Sequence, residues 1–244
     1  MSDESPPELL GSGHLWWRYS GESSFYFTTM TSSDLKNPNK IEHVKDSGRS
    51  QIRSAMRQKR RAISAEQQLL AAKALAERIL DDPDYQHAGK LAFYRAFDGE
   101  ISPDIVLQSA LSQGKRCFLP FMDQADESMR FVEFQTGAPL KQNIYGIQEP
   151  QPRTNNVLTT ELLDLIFLPL VAFDITGTRL GMGKGYYDKH LAYLPDNKGK
   201  NTATSPKLVG LAHECQRVEN LERAAWDIPM DKIITDQNTY RVTG

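Results

Sequence analysis

The chain has 244 residues, with 29 Lys+Arg against 31 Asp+Glu, 39% hydrophobic and 25% charged residues. That balance fits one soluble globular domain with at most a small appendage, and it excludes disorder throughout and collagen-like architecture. A formal net charge of −2 gives no global reason to expect nucleic acid or an anionic membrane as partner, so any basic site must be local. Cys117 and Cys215 show neither CxxC spacing nor a Cys/His cluster, which argues against a disulfide framework or structural zinc and for free thiols in a reducing cytoplasm.

In chain order, residues 1–47 differ from the rest. They carry Gly/Ser punctuation and an aromatic cluster (Trp16, Trp17, Tyr19, Phe25, Tyr26, Phe27) without a sustained period, and are expected to form a poorly ordered extension to a domain over 48–244. Asp3, Glu4, Pro6 and Pro7 at the start do not read as a signal peptide, and the polar run after Met30 suggests translation from Met30. From Gly48 the pattern is helical: Ile52, Met56 and Ile63 lie among Arg49, Arg53, Arg57, Lys59, Arg60 and Arg61. By charge pattern alone this basic face reads as solvated rather than anion-binding. Ser64 and Gln67 form a capping-box signature for a second helix, which Asp81-Asp82-Pro83 stops.

Elements then alternate. Lys90–Phe97 reads as a strand, Ser102-Pro103 as the N-cap and first position of a helix to Gln113, and Lys115–Pro120 as the next strand. Met129–Phe134 alternates in hydrophobicity, Leu163–Leu168 suits a strand buried on both faces, and Leu208–Ala212 and Lys232–Thr235 are short strands. The fold expected is therefore α/β: a largely parallel sheet flanked by helices in a Rossmann-like single domain. The longest apolar stretch, Leu162–Phe173, is broken by Asp164 and Pro169 and is too short to span a bilayer, so no membrane partner is expected. Asp196–Pro206 reads as a surface loop.

The most informative segment runs from Phe173 to Asp188. Glycines at 181, 183 and 185 leave backbone N–H groups unshielded, and helix-compatible spacing follows from Tyr186 to Leu194. It is neither a Walker A loop nor a dinucleotide fingerprint, and by spacing alone a simple turn is as good a reading as a phosphate cradle. Arg179 and Lys184 favour the cradle by adding two cations.

The run Arg179-Leu180-Gly181-Met182-Gly183-Lys184-Gly185-Tyr186-Tyr187-Asp188 closely resembles the signature of the 5-formyltetrahydrofolate cyclo-ligase family. Arg60–Glu66, Asp98-Gly99-Glu100-Ile101, Gly146–Pro150, Gly210–Gln216 and Ala225–Asp231 fit the same family, so the resemblance covers about residues 49 to 236. It implies ATP-dependent conversion of 5-formyltetrahydrofolate to 5,10-methenyltetrahydrofolate, with Mg²⁺ as metal. Phosphoryl transfer works mainly by positioning and charge neutralisation, which suits a chain without a Ser/His/Asp or Cys/His signature.

Carried over by this resemblance, Arg49, Arg53 and the run Arg179, Leu180, Gly181, Met182, Gly183, Lys184, Gly185, Tyr186 and Tyr187 line the ATP site, with Lys184 and Arg179 catalytic. Met182, Gly183, Lys184, Gly185 and Tyr186 also touch folate, Glu100 contacts the pterin, and Tyr145 is a substrate-binding candidate able to stack on an aromatic ligand, with ordinary packing as its other reading. Asp188 and Asp227 hold Mg²⁺. Arg49 stands where the family commonly has Lys, Met182 where a larger or charged residue is frequent, and Leu170 where Gly is common; His213 is read as packing rather than as a base. A cytoplasmic monomer is expected, without nucleic acid. The rivals are a nucleotide- or sugar-phosphate-binding regulatory protein without turnover, and an RNA-binding module resting on Arg49–Arg61 alone.

Overall fold

The computed structural model describes residues 14–15, 30–31, 38–123, 128–153, 155–192, 205–224 and 226–242. The aromatic cluster Trp16–Phe27 and most of the loop expected over Asp196–Pro206 lie outside them. The chain divides into two units, residues 1–51 and 52–244. In the first, β1 (His14–Leu15) pairs antiparallel with β2 (Met30–Thr31), and α1 (Pro38–Arg61) begins. The helix starts ten residues before the basic periodicity at Gly48, at a proline whose fixed φ and missing N–H suit a first turn.

In the second unit α2 (Ala65–Leu80) carries the expected capping box, with Ser64 and Gln67 bonding each other's backbone. Pro83 then opens a short α3 (Pro83–His87), capped by Asp82. After β3 (Lys90–Ala92), α4 (Asp104–Ser112) starts one residue later than the Ser-Pro signature suggests, so Pro103 takes the N-cap position, and Ser102 Oγ accepts from Asp104 N at 3.2 Å just ahead of the helix. There follow β4 (Arg116–Met122), β5 (Met129–Phe134), β6 (Leu140–Gln142), β7 (Gln148–Pro150), β8 (Val157–Leu158) and β9 (Leu165–Pro169). Next come β10 (Ala172–Phe173), β11 (Arg179–Leu180), α5 (Tyr186–Leu191), β12 (Lys207–Ala212), β13 (Lys232–Thr235) and β14 (Thr239–Arg241).

The main sheet has the order β14-β13-β12-β9-β3-β4-β5-β8. Its five central strands, β13 to β4, are parallel, and antiparallel β14, β5 and β8 finish the edges. The fold is thus the expected α/β architecture with a mostly parallel sheet and flanking helices. Alternation divides the central strands between two apolar layers. Leu165, Phe167, Val209 and Leu211 pack with Leu75 and Ile79 of α2 and Leu107 of α4, while Ile166, Leu168, Leu208 and Ile233 pack with Leu191 of α5. The continuous apolar run of β9 is the sequence trace of burial on both faces. Both cysteines are free: Cys117 lies buried in β4 and Cys215 is exposed.

Two features locate the site. Successive strands step outward from β3 to β4 and then in the opposite direction through β9, β12 and β13, so the strand order reverses between β3 and β9. In open α/β sheets ligands bind outside the carboxyl ends of strands at such a reversal. The second feature departs from the sequence reading of strand, glycine loop, helix: a β10–β11 hairpin stands between β9 and the glycines. Asp174 closes its turn, Oδ1 accepting from Thr176 N at 2.9 Å and Thr178 N at 3.2 Å, while Oδ2 accepts from Leu221 N at 2.8 Å. Gly177 completes the turn at φ 82°, where a Cβ would lie 2.7 Å from the Met230 carbonyl oxygen.

Candidate functional site

The chain leaving β3 turns sharply at Asp98 and Gly99, with φ of 54° and 77°. A Cβ at 99 would sit 3.0 Å from the Arg60 carbonyl oxygen, so the turn rests directly on the end of α1. Arg57 Nε donates to Asp98 Oδ2 at 2.8 Å, Arg60 Nη2 to the same oxygen at 2.9 Å, and Arg61 Nε to Oδ1. Burial opposes ionisation of Asp98, but hydrogen bonds from Arg61, Arg57 and Arg60 hold its carboxyl at about 2. The basic helix face that charge pattern alone reads as solvated is therefore partly an internal clamp. Arg60 is fully buried, and its Nε also donates to the Asp98 carbonyl at 2.8 Å.

Glu100 follows on this turn. Its Oε2 accepts from Phe97 N at 3.1 Å, and its Oε1 lies 3.7 Å from Arg60 Nη1. Burial pushes the Glu100 carboxyl up to about 7; Arg60 and the Phe97 N–H oppose the rise and the Asp98 charge adds to it. It is thus an acid poised between its two forms near neutrality.

Across from this turn, Arg53 Nε donates to the Gly181 carbonyl at 3.0 Å, and its guanidinium carbon lies 3.7 Å from the position of a Cβ on Gly183. Gly183 and Gly185 have φ of 98° and 67°, left-handed conformations that glycine adopts at no steric cost. Lys184 between them is exposed. Met182 Sδ is 3.6 Å from Arg60 Nη2, so Arg60 meets both the acid turn and the glycine loop. Tyr145 comes from the turn joining β6 to β7, which Asn143 Oδ1 closes by accepting from Tyr145 N and Ile147 N. The Tyr145 hydroxyl stands 3.1 Å from that of Tyr186, bringing together two residues predicted to contact substrate.

Three of the predicted nucleotide contacts are engaged within the protein. Arg179 is buried: Nη2 donates to Asp188 Oδ1 at 2.6 Å and Nη1 to the Ile228 carbonyl, so its charge is engaged within the protein. Leu180 is buried against Met56, Val171, Ala172 and Leu221, leaving only its backbone for any ligand. Tyr187 packs on the apolar layer beneath α5, and burial together with the Glu100 charge raises its phenol well above the ordinary range. Each is apolar or amphipathic on an element whose inward face joins the core, which a linear motif does not reveal. Arg49 belongs to the first unit and lies on α1 one turn before Arg53.

Asp188 and Asp227 both act on the Arg179 guanidinium, and Asp188 Oδ1 lies 3.5 Å from Ile228 N, which places the two carboxylates in one neighbourhood. Among the described residues no group of three or more His, Cys, Asp or Glu side chains could hold a metal. Two hard carboxylate donors completed by phosphate oxygens and water do fit Mg²⁺, which keeps several non-protein ligands.

Sequence reasoning missed Arg60, Asp98 and Glu149. Glu149 is buried in β7, where burial raises its carboxyl and a 2.7 Å bond from Asn143 Nδ2 opposes the rise. A usable signal existed for Asp98: an acid immediately before Gly, preceded by a basic helix without a single acid from Arg49 to Arg61.

Residues 45–236 match the model of the 5-formyltetrahydrofolate cyclo-ligase family. The 5-formyltetrahydrofolate cyclo-ligase of Haemophilus influenzae is 39% identical over 187 residues, spanning 76% of this chain and 96% of that protein. The Escherichia coli protein of the same name is 35% identical over 186 residues, spanning 76% and 98%. Among solved structures, the 5,10-methenyltetrahydrofolate synthetase of Aquifex aeolicus superposes with a TM-score of 0.68 at 29% identity, over 80% of this chain and 93% of that one. The family model spans well over half of the chain and contains both the acid turn and the glycine loop: this protein belongs to the 5-formyltetrahydrofolate cyclo-ligase family.

Proposed function

We propose that this protein cyclises 5-formyltetrahydrofolate to 5,10-methenyltetrahydrofolate with ATP, releasing ADP and phosphate. The observation that carries the reading is the convergence of Glu100, Arg53 and the glycine loop at the strand-order reversal of a cyclo-ligase-family sheet. A formamide carbonyl is a poor electrophile. Its oxygen takes the γ-phosphoryl group of ATP, N10 of the folate attacks the resulting iminium carbon and loses its proton, and the C–O bond to phosphate breaks. Lys184 and the amides of Gly181, Gly183 and Gly185 neutralise the phosphates, while Arg53 fixes the loop by its bond to the Gly181 carbonyl. Glu100 accepts from the donor edge of the pterin, and Tyr145 and Tyr186 flank the ligand with paired hydroxyls.

In this reading Asp188 and Asp227 hold Mg²⁺, which supplies charge neutralisation at the phosphates. Arg179 acts through Asp188, fixing the carboxylate and the Ile228 backbone rather than touching the nucleotide. The catalytic domain is residues 48–244, with 1–47 an extension to it. We further take the enzyme as a cytoplasmic monomer. No described helix is long and apolar enough to cross a membrane.

The test is to incubate the purified protein with Mg-ATP and 5-formyltetrahydrofolate, following the methenyl product spectroscopically and ADP by a coupled assay. One ADP per product, each dependent on the other substrate, is expected. Nucleotide binding without folate-dependent turnover would instead favour the regulatory alternative.

A further inference from the structure

We propose that Arg60 is a positioning residue for folate recognition, tying the acid turn, the end of β9 and the glycine loop into one unit and directing the Glu100 carboxylate. The inference rests on the cyclo-ligase reading above. Arg60 has no exposed surface, so it touches no substrate itself. Among the described residues, the five polar atoms that its guanidinium meets belong to three segments. Nε and Nη2 bond the Asp98 carbonyl and carboxylate, Nη1 lies 3.5 Å from the Leu170 carbonyl and 3.7 Å from Glu100 Oε1, and Nη2 lies 3.6 Å from Met182 Sδ. A planar guanidinium can serve diverging acceptors in this way where an ammonium on a flexible stem cannot. Gln216 reinforces the same junction from the chain after β12, its Nε2 donating to the Leu170 carbonyl at 2.6 Å.

Burial is the largest influence on Glu100 and raises its pKa; Arg60 opposes that rise. From α1 it favours the anion. From the turn itself, Asp98 disfavours the anion and the Phe97 N–H supports it. Tyr94 after β3 and Tyr187 at the start of α5 lie within the field of Glu100, and burial keeps both phenols protonated and neutral. His213 after β12 faces Gly99 and Arg60; burial lowers its pKa and its Nε2 has no hydrogen-bond partner, so it adds no second cation. Among these groups Arg60 is the one whose positive charge sustains Glu100 as an acceptor for the pterin's N–H groups. Its loss should therefore make folate binding demand a higher pH, an effect that simple loosening of the fold does not produce.

The experiment compares the folate KM and kcat of the wild type, Arg60→Met, Arg60→Lys and Glu100→Gln between pH 6 and 9, with circular dichroism as a check on folding. In the wild type the folate KM should fall as pH rises through about 7, the range in which Glu100 ionises. Arg60→Met should move that step upward by about one pH unit or more, raising KM roughly tenfold at neutral pH while the two proteins converge towards pH 9. Arg60→Lys keeps the charge and should return the step towards the wild-type position, but leave a pH-independent rise in KM from the lost fork. Glu100→Gln should abolish the step, and Arg60→Met added to it should shift nothing further.

An Arg60→Met penalty equal at every pH, or a shift that persists in the Glu100→Gln background, overturns the proposal. If Arg60→Met does not fold, the remaining proteins decide: a step near pH 7 that survives in Glu100→Gln, or one displaced upward by about a pH unit or more in the charge-conserving Arg60→Lys, overturns it equally. A wild type that forms no methenyl product overturns the catalytic reading beneath it, an outcome distinct from an active wild type whose variants show no shift.

Discussion

The acid turn and the glycine loop meet at Arg60 but are built on opposite principles. The acid turn is specified by side chains: Asp98 is gripped by Arg57, Arg60 and Arg61, and Glu100 is buried beside them. The glycine loop is specified by backbone: left-handed conformations at Gly183 and Gly185, one bond from Arg53 to the Gly181 carbonyl, and an exposed Lys184. The contrast follows what each region is proposed to receive. A polyphosphate carries its own charge and can recruit a mobile cation and bare amides as it arrives. A neutral pterin brings no charge and presents an edge of N–H donors, so the acceptor for that edge must be oriented in advance, and orienting a buried carboxylate requires fixed partners.

The contrast is broken most strongly at Lys184. Its ammonium is proposed to follow the γ-phosphate as charge develops, so Lys184→Ala should reduce kcat roughly a hundredfold or more with a smaller change in ATP affinity. Because the side chain is exposed, thermal stability should not change. Steady-state kinetics, ATP titration and a melting curve measure the three quantities, and near wild-type turnover would remove Lys184 from the cradle. Asp188→Asn sits between the two regimes. It should raise the Mg²⁺ required for half-maximal turnover roughly tenfold. It should also lower the melting temperature, since the buried Arg179 guanidinium loses a charged partner. An unchanged Mg²⁺ dependence in a folded variant would take Asp188 out of the metal site.

The smallest effect concerns the acid turn alone. Asp98 is held at about 2, below its ordinary 3.8, so its contribution to stability is present above the unfolded value and is lost as pH falls from about 4 through 2. Urea midpoints across that range should decline less steeply in Asp98→Asn than in the wild type. Parallel slopes would mean that the arginine clamp contributes nothing to acid resistance.

Much of this was legible in the chain. Leu163–Leu168 announced a strand with two buried faces, Met129–Phe134 matched β5 end to end, and Ser64 with Gln67 marked the start of α2. The β10–β11 hairpin was not visible, because strands of two residues have no period and the turn depends on Asp174 reaching Leu221 N across the fold. At the site, local spacing revealed the glycines but not the fate of the cations around them. Arg53 bonds the loop, Arg60 is buried and Arg179 is paired with Asp188, three outcomes for one residue type decided by the elements packed above each. Charge pattern describes what a helix carries; long-range packing decides which charges remain available to a ligand.

The two free cysteines make this molecule convenient for spectroscopy. Burial pushes the Cys117 thiol up to about 12 and leaves it no surface for an alkylating dye; burial raises the Cys215 thiol as well, but that residue is exposed and is the one a dye can reach. Cys215 directly precedes Gln216, whose amide holds the Leu170 and Val171 carbonyls at the end of β9. A maleimide fluorophore on the native chain would therefore settle on one position beside the junction of the two binding regions, without an engineered thiol.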